Sequence, residues 1–430
     1  MQLTTIASLY AIFKKHPSVQ TDTRKLQKGD LFFALKGPSF NGNHFAIKAL
    51  ESGAAFAVID EEIIAPSSFQ DQLIQVHDVL ESLQALAKYH REQFDIPFLA
   101  ITGSNGKTTT KELITAVLSS HFETYTTKGN LNNHIGVPLT ILSIPLSAQI
   151  AVIEMGANHL HEIESYCAYT LPTHGLITNC GKAHLEGFGS LDGVKKGKGE
   201  LFDFLRNNKG TVFIMNDYEY LHTLSKGIQN IISYGTKDAD IVGVTKDNDA
   251  FLQVQFKKGF PYDMHTQLIG DYNLPNVLAA VSVGIFFQVP ADKIKTAIES
   301  YQPNNSRSQL VAWNNNKVIL DAYNANPSSM KLAIENFAKM EVSNKIICIG
   351  GMKELGDDSI QEHQSIIELI NSFQWYKVYL VGGDFRHCIH HYTFLPSSLE
   401  AKEVIQNEHY KDCTILIKGS RGIQMERIIE

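Results

Sequence analysis

A chain of 430 residues is too long for a single hydrophobic core, so two to four domains are expected. Its 43% apolar content, with 30 glycines and 13 prolines, describes a folded protein with structured turns rather than a disordered one. With 38 basic and 45 acidic residues the net charge is −7, which weighs against nucleic acid or an anionic membrane as the main partner, although a local basic pocket can still bind an anion.

The opening "MQLTTIASLYAIF" lacks a basic stretch followed by a signal-type apolar run, and no segment approaches the ~20 apolar residues of a membrane span. Cys167, Cys180, Cys348, Cys388 and Cys413 are scattered and never in C-x-x-C spacing. They read as reduced thiols in a cytoplasmic protein.

Along the chain, "DLFFAL" and "AAFAVID" read as short strands with the helical "HFAIKALESG" between them, and "VLESLQALAKYHREQF" as an amphipathic helix. Pro97 closes this first block, expected to span 1–95. The second, 96–303, opens with the strand "FLAIT", a glycine turn and a helix from Thr108 to His121. Strands at 150–155, 174–180 and 211–216 alternate with helices, the pattern of a mostly parallel sheet covered on both faces. A strand-rich excursion, "ISYGT…DADIVGV…FLQVQF", precedes a helix at 274–287. "QPNNSRSQ" at 302–309 reads as a linker. The third block, 304–430, repeats strand–helix–strand through 345–350, 377–383 and 414–420. The fold expected is three-domain α/β, with a cleft that closes on substrate.

The chemistry begins at "ITGSNGKTTTKE", residues 101–112. The full Walker spacing would put its first glycine at Ile101, so this is a short form. Gly103, Ser104, Asn105 and Gly106 can bend the backbone around phosphate, Lys107 can neutralise its charge, and Thr108 can ligate Mg²⁺. A plain helix cap is the bland alternative, which the strand–turn–helix context disfavours. Glu154 ends a buried strand where α/β active sites form, and reads as a Mg²⁺ ligand or as an ordinary ion-paired carboxylate. The glycine-dense stretch 181–202 reads as an exposed active-site loop. In it His184 is a metal ligand or a surface histidine, and spacing alone leaves Lys198 a solvated lysine like Lys195 and Lys196. Asp321, at a strand end, can accept ribose hydroxyls or cap a helix. Asn324, Asn326 and Pro327 form an Asx-rich turn. Arg307 in the linker is solvated or reaches a γ-phosphate.

Taken together, "GSNGKTTTKE", "GNLNNHIGVPLT", "IEMGANHLHEI", "AHLEGFGS", "KGE", "YNANPSSM" and "KGSRG" resemble the Mur ligases over essentially the whole chain, at the branch that adds D-alanyl-D-alanine. The resemblance implies a small N-terminal α/β domain that binds UDP, a central P-loop ATPase-like domain with a mostly parallel sheet, and a C-terminal Rossmann-like domain. It implies an ATP- and Mg²⁺-dependent amide ligase of peptidoglycan synthesis, joining D-alanyl-D-alanine to UDP-N-acetylmuramoyl-tripeptide through an acyl phosphate. Lys107, Thr108 and Thr109 would then meet ATP, with Glu154 at one Mg²⁺. His184 would hold a second ion beside a carbamylated Lys198. Asn276 would face adenine, Asp321 ribose and Arg307 the γ-phosphate. Asn130, Asn132, Asn133, Tyr323, Asn324 and Asn326 would approach the substrates, and Thr23, Arg24, Asn41, Gly42 and His44 the uridine diphosphate. Departures from the family pattern include Thr23 for serine, Asn41-Gly42-Asn43-His44 for Asp-Gly-His, Tyr272 for histidine and Ala322 for aspartate. A monomer is expected. The rival readings are another amide ligase, such as a folylpolyglutamate synthase, and a non-catalytic nucleotide switch.

Overall fold

The computed structural model describes residues 4–246, 251–303 and 306–430. The expected boundary at residue 304, with residues 304–305 of the linker, lies outside the described residues.

Four short strands, Val19–Gln20, Leu31–Phe33, Phe56–Ile59 and Leu73–Gln75, pair in parallel in chain order. The helix Val79–Arg91 follows, started by Asp78, whose carboxylate accepts the Glu81 N–H at 2.8 Å. Its buried Val79, Leu83, Leu86, Ala87 and His90 recur at helical spacing. The four apolar ones join the core of the next sheet rather than closing a separate one. Arg91 reinforces that junction from inside. Its guanidinium donates to the carbonyls of Thr170, Leu171 and Phe94 at 2.9–3.0 Å and stacks 3.9 Å from the Phe98 ring. These partners engage each of its three nitrogens in a site that, by burial, lowers its pKa to about 10.

The second sheet has nine strands among the described residues, in the spatial order 264–269, 251–258, 241–245, 230–235, 211–215, 174–177, 98–102, 150–154 and 124–126. All neighbours are parallel except at the 241–269 end, where two antiparallel pairs finish the sheet. "FLAIT" and "IAVIE" are buried at every position, as parallel strands covered on both faces must be. Phe98–Thr102 sits between His174–Ile177 and Ile150–Glu154. The chain leaves it in both directions across the sheet, and a crevice opens at the carboxyl ends of such strands.

The third sheet orders its six strands 309–313, 316–321, 414–418, 345–350, 377–381 and 393–395, with only the first pair antiparallel. One apolar cluster covers each face. Asp321 and Lys418 are register partners at adjacent strand ends, which puts opposite charges side by side at the edge facing the second sheet.

One expectation is corrected. The glycine-dense 181–202 is not mainly an exposed loop, because helices occupy Leu185–Phe188 and Leu191–Asn207. The glycines serve close packing. A Cβ on Gly193 would lie 2.0 Å from the Phe188 carbonyl oxygen, and one on Gly197 2.5 Å from the Phe188 ring. The five cysteines are free, four of them buried. Among the described residues no helix is long and apolar enough to cross a membrane.

Candidate active site

The strand Phe98–Thr102 ends in a turn that only glycine permits at two points. Gly103 has φ +142° and Gly106 φ +78°, and a Cβ would strike the Thr178 hydroxyl at 2.0 Å in the first case and the Asn276 amide oxygen at 2.7 Å in the second. Side chains hold the loop open from outside. Thr178 Oγ1 and Asn179 Nδ2 donate to the Asn105 carbonyl at 2.6 and 3.0 Å, and the Asn105 N–H donates to Asn179 Oδ1 at 3.0 Å. Ser104 binds Gly181 through both its hydroxyl and the Gly181 N–H. Behind the turn stands the N-terminus of helix Lys107–Ser119, whose free N–H groups and dipole favour an anion. The Lys107 ammonium lies folded back on the carbonyls of Gly103 and Ser104, at 2.8 and 3.2 Å. Burial lowers its pKa; the Arg307 cation adds to the effect and the Glu154 carboxylate opposes it.

Glu154 is 1% exposed. Its Oε1 accepts from Asn132 Nδ2 at 2.7 Å and from the Thr108 hydroxyl at 3.2 Å, while Oε2 has no hydrogen-bonding partner among the described residues. A buried, half-satisfied carboxylate is costly alone and suited to a hard cation. With the Thr108 hydroxyl and the phosphate loop beside it, the donor set fits Mg²⁺.

The opposite wall comes from the third sheet. Asp321 Oδ2 accepts from Lys418 Nζ at 2.5 Å, and its Oδ1 takes the Ser308 N–H at 3.3 Å. Arg307 stacks 3.7 Å from the Tyr323 ring, with Arg421 at 5.2 Å. Asn326 caps the helix Pro327–Lys339 and reaches across to donate to Asn105 Oδ1 at 2.8 Å. Asn324 bonds within its own turn, to the Ala325 N–H. Two more contacts join the sheets: Lys182 Nζ to Glu362 at 2.6 Å, and His184 Nδ1 to Glu354 Oε2 at 2.5 Å. Between the walls lies a cavity of about 870 Å³, within the size range of a nucleotide-scale site. Ser104 to Thr109, Asn130, Asn132, Asn133, Glu154, His184, Asn276, Arg307, Asp321, Tyr323, Asn324 and Asn326 line it, so most of the expected residues converge there.

Lys198 departs from its solvated reading, since it is only 1% exposed. Its ammonium donates to the Ala157 carbonyl at 2.8 Å and lies 5.1 Å over the Phe188 ring. Burial, followed by repulsion from Lys107, lowers its pKa to about 7, against weaker opposition from Cys180, Glu162 and Glu200. Lys198 itself does not line the cavity, although its acceptor residue Ala157 does, whereas His184 lines the cavity and pairs with Glu354. The two are not in hydrogen-bonding contact. The buried glycines on either side of Lys198 were the available signal, because Gly-Lys-Gly on a helix marks a face too crowded for solvent.

The N-terminal candidates stand apart from this cavity. The Arg24 side chain is 86% exposed and pairs with Asp22, Thr23 is half-buried, and His44 is exposed. Asn41 Nδ2 donates to the Glu61 carboxylate at 3.0 Å, Gly42 is buried, and Asn43 donates to Asp60 at 2.7 Å, so this turn is already pinned by neighbouring acids. Sequence reasoning passed over Thr178, Asn179 and Glu362, and gave Lys418 and Glu354 no individual role. Each acts through a partner remote in sequence.

Three family models match in succession: Mur ligase family, catalytic domain, at 17–91; Mur ligase middle domain at 101–284; and Mur ligase, glutamate ligase domain, at 306–421. The chain is similar to the UDP-N-acetylmuramoyl-tripeptide–D-alanyl-D-alanine ligase of Bacillus subtilis strain 168, with 33% identity covering 96% of this chain and 92% of that protein. The enzyme of the same name from Escherichia coli K12 matches at 33% identity, with 96% and 92% covered. Among solved structures, MurF from Acinetobacter baumannii superposes with a TM-score of 0.85 at 29% identity, covering 96% of this chain and 92% of that one. The MurF ligase of Thermotoga maritima in complex with ADP shares the fold at a TM-score of 0.85 and 24% identity, with 96% of each chain covered.

If Oε2 of Glu154 awaits a cation, its charge costs stability when no divalent ion is present. Glu154→Gln is expected to raise metal-free stability by about 1 kcal/mol in chemical denaturation and to lose the extra stability that Mg²⁺ with nucleotide confers. A less stable variant that keeps the Mg²⁺ response would make Glu154 a structural residue.

Proposed function

The chain belongs to the Mur ligase family, and from that premise we propose that it uses ATP to join D-alanyl-D-alanine to UDP-N-acetylmuramoyl-tripeptide, yielding the pentapeptide precursor of peptidoglycan. The observation that carries this reading is the meeting of a phosphate loop, a half-satisfied carboxylate and a linker arginine around one cavity.

The acceptor's terminal carboxylate is a poor electrophile. It attacks the γ-phosphorus of ATP, an O–P bond forms, the β–γ bridge breaks and ADP leaves. The amine of D-alanyl-D-alanine then attacks the acyl carbon and gives up a proton, and inorganic phosphate departs as the C–O bond breaks. Lys107 leaves its carbonyl partners to meet phosphate oxygens, and Arg307 approaches them from the other wall. Thr108 and Glu154 hold Mg²⁺, which when bound supplies positive charge against the phosphate oxygens. Asp321 takes the ribose hydroxyls, with Lys418 fixing its orientation. Asn276, bonded to Thr110 and Asn273, faces the base. The contacts 105–326, 182–362 and 184–354 hold the walls together and keep water from the acyl phosphate.

The finer proposals follow the same premise. Three domains divide at about 95 and 303, a single copy suffices, and the enzyme works in the cytoplasm. Thr23, Arg24, Asn41, Gly42 and His44 meet the uridine diphosphate after Glu61, which now holds Asn41, gives way. Lys198 carries a carbamate and, with His184, serves a second Mg²⁺. Burial favours that chemistry, because only a neutral amine attacks CO₂, and Lys198 is neutral far more often than a solvated lysine.

Purified protein given ATP, Mg²⁺ and both substrates is expected to form one amide per ADP released. ATP consumption without pentapeptide product would reject the assignment.

Carbon-13 NMR at fixed CO₂ pressure is expected to show a carbamate resonance that grows as pH rises through about 7. It should be lost in Lys198→Ala, along with activity that small carboxylic acids partly restore. Full activity in Lys198→Ala would remove the carbamate from the account.

A further inference from the structure

Tyr272 belongs to the turn Asp271–Asn273 that starts the helix Leu274–Phe286, and it lines the cavity. Its ring lies across Gly270, where a Cβ would come within 2.4 Å of Cε1 and where φ is +90°. The glycine therefore lets the ring settle, and the ring places its hydroxyl 2.8 Å from Ser308 Oγ. Burial, with the Asp321 charge behind it, raises the Tyr272 pKa, so the hydroxyl stays protonated and available for that bond.

Ser308 is 9% exposed and is the residue after Arg307. Ser306 and Ser308 both have left-handed backbones, φ +56° and +49°, which serines adopt only when something holds them. Within the third sheet's own module, the Tyr323 N–H donates to the Ser306 carbonyl at 3.2 Å and Asp321 accepts the Ser308 N–H. The Tyr272 hydroxyl adds a hold from the second sheet's module. Arg307 thus projects from a bend gripped on both sides.

We propose that Tyr272 is a positioning residue: through its hydroxyl bond to Ser308 it holds the strained bend that presents Arg307 to the cavity. Reading this as an effect on catalysis rests on the ligase function proposed above, whereas the bond's hold on the linker does not.

Trypsin cleavage after Arg307 measures that hold without any reaction taking place. Tyr272→Phe keeps the ring and removes only the hydroxyl. Loss of one neutral hydrogen bond is expected to speed cleavage at Arg307 of the ligand-free protein about fivefold. Ser308→Ala should do the same, and the double variant should add little. In the ligation assay, Tyr272→Phe should lower kcat by a similar factor and leave the KM for ATP nearly unchanged. Unchanged cleavage at Arg307 overturns the proposal. So does a defect confined to the KM for ATP, which would mark Tyr272 as nucleotide packing, or an equal rise in cleavage at sites remote from the linker, which would mark general loosening. A wild-type protein that does not ligate would reject the ligase reading, and the cleavage comparison would then decide the tie alone.

Discussion

The Glu154 carboxylate sits at the end of a fully buried strand with one oxygen engaged and the other without a partner among the described residues. Burying a charge in that state is costly. The surrounding structure keeps the charge in place. Thr127 receives the Glu154 N–H, Asn132 and Thr108 fix Oε1, and the neighbouring strand presents the phosphate loop at the same level. Under the proposed function, a cation arriving with a phosphate would offset that cost, which would couple metal and nucleotide binding physically.

The second wall supplies what the first lacks. The phosphate loop has its own lysine, but that cation is spent on two backbone carbonyls until a phosphate competes for it. Further positive charge comes from Arg307, held on Tyr323, and its field already reaches Lys107. Such an arrangement works only when the walls are close. Side-chain contacts cross between them, among them Asn326–Asn105 from the phosphate loop itself, Lys182–Glu362, His184–Glu354 and Tyr272–Ser308. Under the proposed ligase function, closure of the walls and assembly of these charges would be a single event in this cavity.

Much of this was legible in the chain. The strand–turn–helix at 98–119 could be read because glycine, lysine and threonine are required at fixed spacing by phosphate geometry, and Glu154 because a charge ending an apolar run is conspicuous. Lys198 was not legible from spacing, since burial depends on Phe188 and Ala157 arriving from elsewhere. Nor were Thr178 and Asn179, whose grip on Asn105 spans more than 70 positions. The final antiparallel strand Met264–Ile269 escaped pattern reading, because alternate burial at a sheet edge is weakly written in composition. The turn at 41–44 was read as a substrate contact, while the structure engages its Asn41 and Asn43 with acids of the same block.

The central claim is that this cavity activates a carboxylate by phosphoryl transfer rather than merely hydrolysing ATP beside one. Oxygen-18 placed in the acceptor's terminal carboxylate tests it directly. Analysis of the released phosphate by mass spectrometry is expected to show one labelled oxygen per amide formed, carried over when the acyl phosphate breaks. Amide formation with unlabelled phosphate would contradict the account.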